Sequence, residues 1–331
     1  MEVGLFFAFR NPEPWRRPPA EVYANCLEQI KLADRAGFDG VWVGEHHYTD
    51  DGFAPSALTL ASAIAVATTR VQIGTYVLLL PQHDPVRVAE AATAVDILSG
   101  GRLILGLGLG YRTAEYEAIG ADIRARGDRM DEHMDILVRC FTERSFSFMG
   151  RYFELHEVAM TPKPVQEPMP RIILGGLGDR MLRRAARFGC SGLANAVPPA
   201  ILERHQQLVA EHGHGPNSQR YYGMALGFVG ATDESAWTVA GDHAAWERDH
   251  YNAWFEASGL PRQFPNGLEH DFLIGSPERW LSSLEVQLDG PEPLRCDHLV
   301  VELTTSGMPQ QQAMRGIELF AEKVLPALHA R

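Results

Sequence analysis

The sequence has no apolar run long enough to cross a bilayer. The nearest, Ser56 to Thr68, is short and carries Ser and Thr, whereas a span needs about 18 residues. Positive charge is also scarce: 42 Asp and Glu face 30 Lys and Arg, a net charge of −12. Nucleic acid and anionic membranes are therefore not expected as partners, because both demand a basic face. Only four cysteines occur, Cys26, Cys140, Cys190 and Cys296, with no C-x-x-C pair. They read as reduced thiols of a cytoplasmic protein and supply no structural zinc site. Met1-Glu2-Val3-Gly4-Leu5 leads into a strand without a basic n-region, so no secretory leader is expected. Short internal repeats and low-complexity tracts are missing too.

What the chain does have is alternation. Eight apolar runs, Val3–Phe9, Asp39–Gly44, Val71–Leu80, Arg102–Leu109, Arg171–Leu174, Gly192–Ala196, Tyr221–Gly230 and Asp297–Leu303, read as strands. Most are apolar without alternating polar positions, the pattern of parallel strands covered on both faces. Between them lie helical patterns, from Ala20–Ala36 onward, with stops such as Gly37 and caps such as Ser56. Regular βα alternation over 331 residues predicts an α/β fold, a closed (β/α)8 TIM barrel forming a single domain. Two stretches interrupt it. Residues 144–170 are aromatic and then proline-rich, a small hairpin insertion, and residues 240–275 form a helical and irregular one.

The stretch with the most chemistry is Gly37-Phe-Asp-Gly-Val-Trp-Val-Gly-Glu45-His46-His47. A buried strand there ends in three ionisable side chains, where barrels carry their active sites. Consecutive residues of an extended chain point to opposite sides, so the three adjacent groups are not expected to converge on one metal ion. By the same parity only one of His46 and His47 should face the barrel interior. A second feature, Gly106-Leu-Gly108-Leu-Gly110-Tyr111, is not a dinucleotide fingerprint, because Tyr111 stands where the third glycine belongs. Its glycines still allow close approach of the backbone to a flat ligand.

Gly175-Gly176-Leu177-Gly178-Asp179-Arg180 joins a strand to a helix. Free N–H groups at a helix start beside an arginine suit a phosphate; a plain βα turn with a surface arginine is the alternative. Gly275-Ser276-Pro277-Glu278 reads as an ordinary N-cap. Trp246, His250, Tyr251, Trp254 and Phe255 form an aromatic stripe at helical spacing, which suits packing or the wall of an apolar pocket. His212-Gly213-His214 reads as a solvated loop.

Five ordered blocks carry a resemblance: GFDGVWVGEHHYTDDGF (37–53), IGTYVLLLPQHDPVRVAEAATAVDILSGGR (73–102), LGLGYRTAEYEAIG (107–120), GSPE (275–278) and IELFAEKVLP (317–326). With these the chain resembles the bacterial-luciferase-like flavin-dependent monooxygenases over nearly its whole length. The resemblance implies a flavin at the carboxyl mouth of the barrel, with His46 as the catalytic histidine. It further implies a cis peptide at Thr75–Tyr76 under the flavin ring. Flavin-phosphate contacts are expected from the backbone of Tyr111 and Gly176–Gly178, with Gly108 and Gly110 beside them. Where luciferase has a reactive cysteine and a phosphate-binding arginine, this chain has Gly108 and Leu109. Light emission is not implied, and Arg112 or Arg180 must supply the cation.

The expected activity is that of a two-component monooxygenase. Reduced FMN from a separate flavin reductase reacts with O2 to a C4a-peroxyflavin, which oxidises a small organic substrate near Phe7, Phe9, Trp246, His250 and Trp254. Relatives with the same blocks use coenzyme F420 for hydride transfer, and a non-catalytic flavin-binding barrel is a third reading. The resemblance also implies a homodimer through the helices at 56–68 and 85–98, where Ala61, Ala65, Ala89 and Ala92 would allow close approach.

Overall fold

The computed structural model describes residues 1–215 and 219–331. Its strands are β1 (Glu2–Phe7), β2 (Gly40–Val43), β3 (Gln72–Thr75), β4 (Leu103–Leu107), β5 (Phe146–Met149) and β6 (Glu154–Val158). They continue with β7 (Arg171–Leu174), β8 (Gly192–Leu193), β9 (Arg220–Val229), β10 (Leu273–Gly275) and β11 (His298–Glu302). The helices up to the hairpin are α1 (Pro19–Ala36), α2 (Ala57–Ala67), α3 (Pro85–Ser99), α4 (Thr113–Ala118) and α5 (Arg126–Thr142). After it come α6 (Asp179–Arg187), α7 (Pro199–Glu211), α8 (Asp233–Ala257), α9 (Leu268–Asp271), α10 (Pro277–Asp289), α11 (Gln310–Lys323) and α12 (Leu325–His329).

Eight strands close a ring in the order β9-β11-β1-β2-β3-β4-β7-β8, with β8 pairing back to β9. Every pairing in the ring is parallel. This is the (β/α)8 barrel that the alternation predicts. The β5–β6 pair is an antiparallel hairpin outside the ring, within the 144–170 insertion. The stretch read as irregular before residue 276 contains β10, which extends the barrel wall beside the end of β9. Three residues are too few for periodicity to reveal.

The barrel is filled by large side chains, and glycines make room for them. Trp42 is fully buried and its Nε1–H donates to Nε2 of His298 at 3.1 Å. Opposite, a Cβ on Gly74 would lie 2.0 Å from the Trp42 ring. Tyr222 closes on the same indole, 5.2 Å between ring centroids. The run read as one strand from Val71 to Leu80 is shorter than expected. β3 ends at Thr75, the Tyr76–Val77 peptide is cis, and a 3-10 turn follows at Leu80–Gln82. The cis bond thus lies one residue beyond the expected Thr75–Tyr76.

Two helix starts differ in how they are capped. Asp84 accepts from the N–H groups of Val86 and Arg87, while Ser56 makes no cap bond and instead pairs its hydroxyl with that of Thr59 at 2.8 Å. Ala61, Ala65, Ala89 and Ala92 are all buried within the chain. They fit α2 and α3 to each other and to the barrel, and so cannot be the dimer surface expected of them. The long helix α8 belongs to the insertion after β9. Its Ala236, Ala240 and Ala244, four apart, are wholly buried against Phe228, Phe272 and Ile274 in a second small core. That core fixes one half of α8, leaving the other half to roof the barrel mouth.

Candidate active site

The carboxyl ends of the strands surround a cleft of about 760 Å³, within the range of small-molecule sites. Its wall includes Phe6 from β1, His46 after β2, Tyr76 and Val77 after β3, and the Gly108–Tyr111 turn after β4. Gly176, Gly178 and Asn195 line the side of β7 and β8, and Tyr251 descends from α8.

His46 is buried, 8% exposed. Its Nδ1 lies 2.8 Å from Oε1 of Glu115 on α4. The same carboxylate accepts from the His47 backbone N–H at 3.0 Å and from Arg112 Nη1 at 3.0 Å. Burial works against a charged Glu115, yet these hydrogen bonds and the Arg112 charge lower its pKa. Glu115 is therefore ionised, so the proton on the shared bond sits on His46 Nδ1. Burial lowers the His46 pKa, against the opposing pull of Glu115. The neutral ring then presents a bare Nε2, a basic nitrogen held in a fixed tautomer. Around it stand Phe53 (4.8 Å between centroids), Trp254 (5.0 Å) and Tyr111 (5.6 Å).

Glu45 and His47 lie on the other side of the strand end. Glu45 accepts from the Leu79 N–H at 2.7 Å and approaches His83 at 3.0 Å and His47 at 3.6 Å. Burial would raise the Glu45 pKa, but the nearby His47 and the hydrogen bonds from His83 and Leu79 outweigh it and lower it to about 2. The adjacent triplet does not converge, since His46 turns to Glu115, but Glu45, His47 and His83 bring ligand atoms within 4.8 Å of one another. The reason is that residues two apart share a side, and the third member comes from the turn after β3. The cluster forms a hydrogen-bonded brace for the loop that carries His46.

At the far end of the cleft four arginines, Arg124, Arg126, Arg180 and Arg184, meet the glycine turn before α6. Arg180 is held by Asp128 (2.5 Å) and Asp131 (2.8 Å), and Arg184 by Asp131 (2.7 Å). Arg124 pairs with Asp122 at 3.0 Å. Arg126 has no ion pair among the described residues, and its buried Nε has no hydrogen-bond partner among them. It is the cation best placed to meet an added anion. Arg112, named with Arg180 as a phosphate partner, is turned away from this end. It is buried beneath Trp254 at 4.2 Å and committed to Glu115 and the His47 carbonyl.

The cleft thus gathers His46, Tyr76, Gly108, Gly110, Tyr111, Gly176, Gly178 and Arg180 from the residues singled out in the sequence. Others fall elsewhere. Thr75 is fully buried in the wall and donates to the Gly106 carbonyl at 2.6 Å, and Leu177 packs half-buried against the core. Phe7 and Phe9 line a separate small cavity, because strand parity turns Phe6, not Phe7, toward the cleft. Trp246 and His250 stack on each other at 4.6 Å behind Trp254. Glu115 and Arg126 went unnoticed in the sequence. The i, i+3 spacing of Arg112 and Glu115 was the one available signal for the first; nothing local marks the second.

A flat, anionic cofactor matches this donor set. The apolar floor of Val77, Leu79 and Leu109 lies beside His46, the arginine rim stands at the opposite end, and the buried Tyr111 hydroxyl has no partner among the described residues. A parallel barrel with such a cleft at its carboxyl mouth defines an α/β-barrel enzyme. The chain belongs to the luciferase-like monooxygenase family, whose sequence model matches residues 1–280. It is 28% identical to the oxygenase component of the flavin-dependent trigonelline monooxygenase of Acinetobacter baylyi, over 93% of this chain and 90% of that one. It is 34% identical to an F420-dependent glucose-6-phosphate dehydrogenase of Amycolatopsis mediterranei, over 50% of this chain and 51% of that one. Among solved structures, monooxygenase RslO1 of Streptomyces bottropensis superposes with a TM-score of 0.84, covering 99% of this chain and 100% of that one. At 22% identity that likeness speaks for the fold. No helix of the described residues is long and apolar enough to cross a membrane.

Proposed function

We propose that the protein is the oxygenase component of a two-component flavin monooxygenase, acting on a small apolar or carbonyl-bearing organic substrate. A separate reductase supplies the reduced FMN, a reading supported by the Acinetobacter relative being the oxygenase component of a flavin-dependent monooxygenase. The observation that carries this reading is the bare Nε2 of His46, set in an apolar cleft with its other nitrogen anchored on Glu115. Reduced flavin bound there would supply two electrons to O2, one oxygen atom passing to the substrate and the other leaving as water.

The chain's own residues would do four things. Arg126 and the turn before α6 hold the cofactor's phosphate. Val77 and Leu79 support the flat ring. Phe53, Tyr111 and Trp254 keep water from the reacting oxygen. His46 accepts a proton at Nε2 and returns it, while Glu115 stabilises the imidazolium in between. The molecule works as a homodimer through the outer faces of α2 and α3, where Val66 and Leu98 are exposed.

The competing reading is hydride transfer with F420, favoured by the F420-dependent relative and by the four arginines that line the cleft, which suit an anionic tail. Anaerobic titration with reduced FMN and with F420 tests the choice. Tighter binding of FMN, followed by substrate-dependent oxygen uptake, is expected. Tighter binding of F420, with no oxygen uptake, would overturn the proposal.

A further inference from the structure

Behind the cleft lies a second polar site that the reading so far leaves unused. Arg10, just past β1, is wholly buried and paired with Asp51 at 2.5 Å and Glu247 of α8 at 3.5 Å. Its guanidinium is enclosed by the rings of Trp246 (4.7 Å), Tyr251 (5.1 Å), Trp254 (5.1 Å) and Phe53 (5.4 Å). Glu302, the last residue of β11, is 1% exposed and faces the same group. Arg10 therefore meets three carboxyl groups, which cannot all be ionised around one cation in a dry site. Burial, reinforced by Glu247, raises the Glu302 pKa well above the carboxylate range, and burial raises that of Glu247.

A cavity of about 60 Å³ runs from this cluster to the surface. At its inner end it is lined by Arg10, Gln29, Glu302 and Thr305, and at its outer end by the half-buried Arg17, Asn25 and Gln310. The Arg10 Nη1 and Nη2, Gln29 Oε1, Glu302 Oε2 and Thr305 Oγ1 atoms are buried with no hydrogen-bond partner among the described residues. Orphaned polar atoms gathered on one cavity are the mark of ordered water. At roughly 10–15 Å³ each, the space holds about four to six waters. Two residues next to Arg10, Phe53 and Tyr251, also line the cleft, so the cluster and the cleft are one ring apart.

We propose that this cavity is a water-filled proton inlet: it connects solvent to a proton held between Glu302 and Glu247, and through the Tyr251 hydroxyl to the cleft. The inlet rests on the oxygenase reading, in which O2 reduction consumes protons inside a mouth closed to bulk water. Each transfer moves one proton by one link. Tyr251 gives its hydroxyl proton to the reacting oxygen, Glu302 replaces it, and a cavity water, fed from solvent, restores Glu302. No electrons move along this path. The charged and titratable groups facing Glu302 are Arg10 after β1, and Glu247 and Tyr251 on α8, with Asp51 after β2 on the far side of Arg10 as its ion-pair partner and Cys26 of α1 on the cavity wall.

The test has a spectroscopic arm and a kinetic arm. Infrared spectra of the cofactor-free protein should show a protonated-carboxyl band at neutral pH, where an ordinary carboxyl is ionised, shifted in D2O and lost in Glu302→Gln. In turnover, Glu302→Gln should lower kcat about tenfold and enlarge the solvent isotope effect, while flavin affinity stays within about twofold. Thr305→Val, which removes one water contact without touching the carboxyls, should reproduce the larger isotope effect with a smaller loss of rate. A wild-type protein without that band, or a Glu302→Gln enzyme with unchanged kcat and isotope effect, would overturn the inlet. The infrared arm needs no flavin, so it gives its answer even if the oxygenase reading fails.

Discussion

Glu115 governs what His46 can do, and the effect has a definite sign. Burial pushes the imidazole toward the neutral form and Glu115 pulls it back. Replacing Glu115 by Gln removes that pull, so the His46 pKa falls further. The acid limb of the kcat/KM profile should then move to lower pH, while kcat drops roughly 10- to 100-fold because the imidazolium formed during proton transfer loses its counter-charge. His46→Ala should cost about 10²–10⁴ in kcat and leave flavin affinity within a few-fold. An acid limb that stays in place in Glu115→Gln would show that another group titrates. His46 itself was readable because it ends a strand inside a strongly patterned block. Glu115 was not, because its partner lies 69 residues away and only folding brings the two together.

Among the elements, the strands that form the wall are fixed by close contacts between neighbours. A Cβ on Gly106 of β4 would stand 1.9 Å from the Thr75 carbonyl oxygen of β3. That carbonyl is backbone, so the clash cannot be relieved by a side chain turning away. Gly106→Ala should destabilise the fold by at least about 1–3 kcal/mol, read as a lower midpoint in urea unfolding at unchanged slope. An unaltered midpoint would mean that β3 and β4 separate more easily than their register implies. The alternation of the eight barrel strands with helices was legible, since eight apolar runs separated by helical patterns leave little freedom. The short β10 and the end of β3 were not. A three-residue strand has no period, and the turn at Tyr76–Val77 is written in residues that are all good strand formers. Parity also decided which phenylalanine of β1 meets the cleft, and taking the wrong face of the strand as inward swaps Phe6 for Phe7.

For the molecule as a whole, the alanines that suggested an interface proved to be interior, yet the helices that carry them still expose apolar groups. Val66 is 70% exposed and Leu98 52% exposed on the outer faces of α2 and α3. If the protein dimerises there, Val66→Asp combined with Leu98→Asp should give monomers by light scattering at concentrations where the unaltered protein is a dimer. An unaltered protein that is monomeric at tens of micromolar would end the proposal. The overall barrel followed from the sequence because its regularity is global. The assembly did not, since a small residue suits a neighbour inside the chain as well as one outside it.

The roof over the cleft comes from a single helix. Tyr251, Trp254 and Phe255, which approach the cleft, His46 and Tyr111, all belong to α8, whereas the floor and His46 come from loops of the barrel and Glu115 from α4. Changes at Trp254 and Phe255 can therefore reshape the chamber while His46 and Glu115 keep their geometry. A lineage built this way can change what it oxidises without relearning how to oxidise.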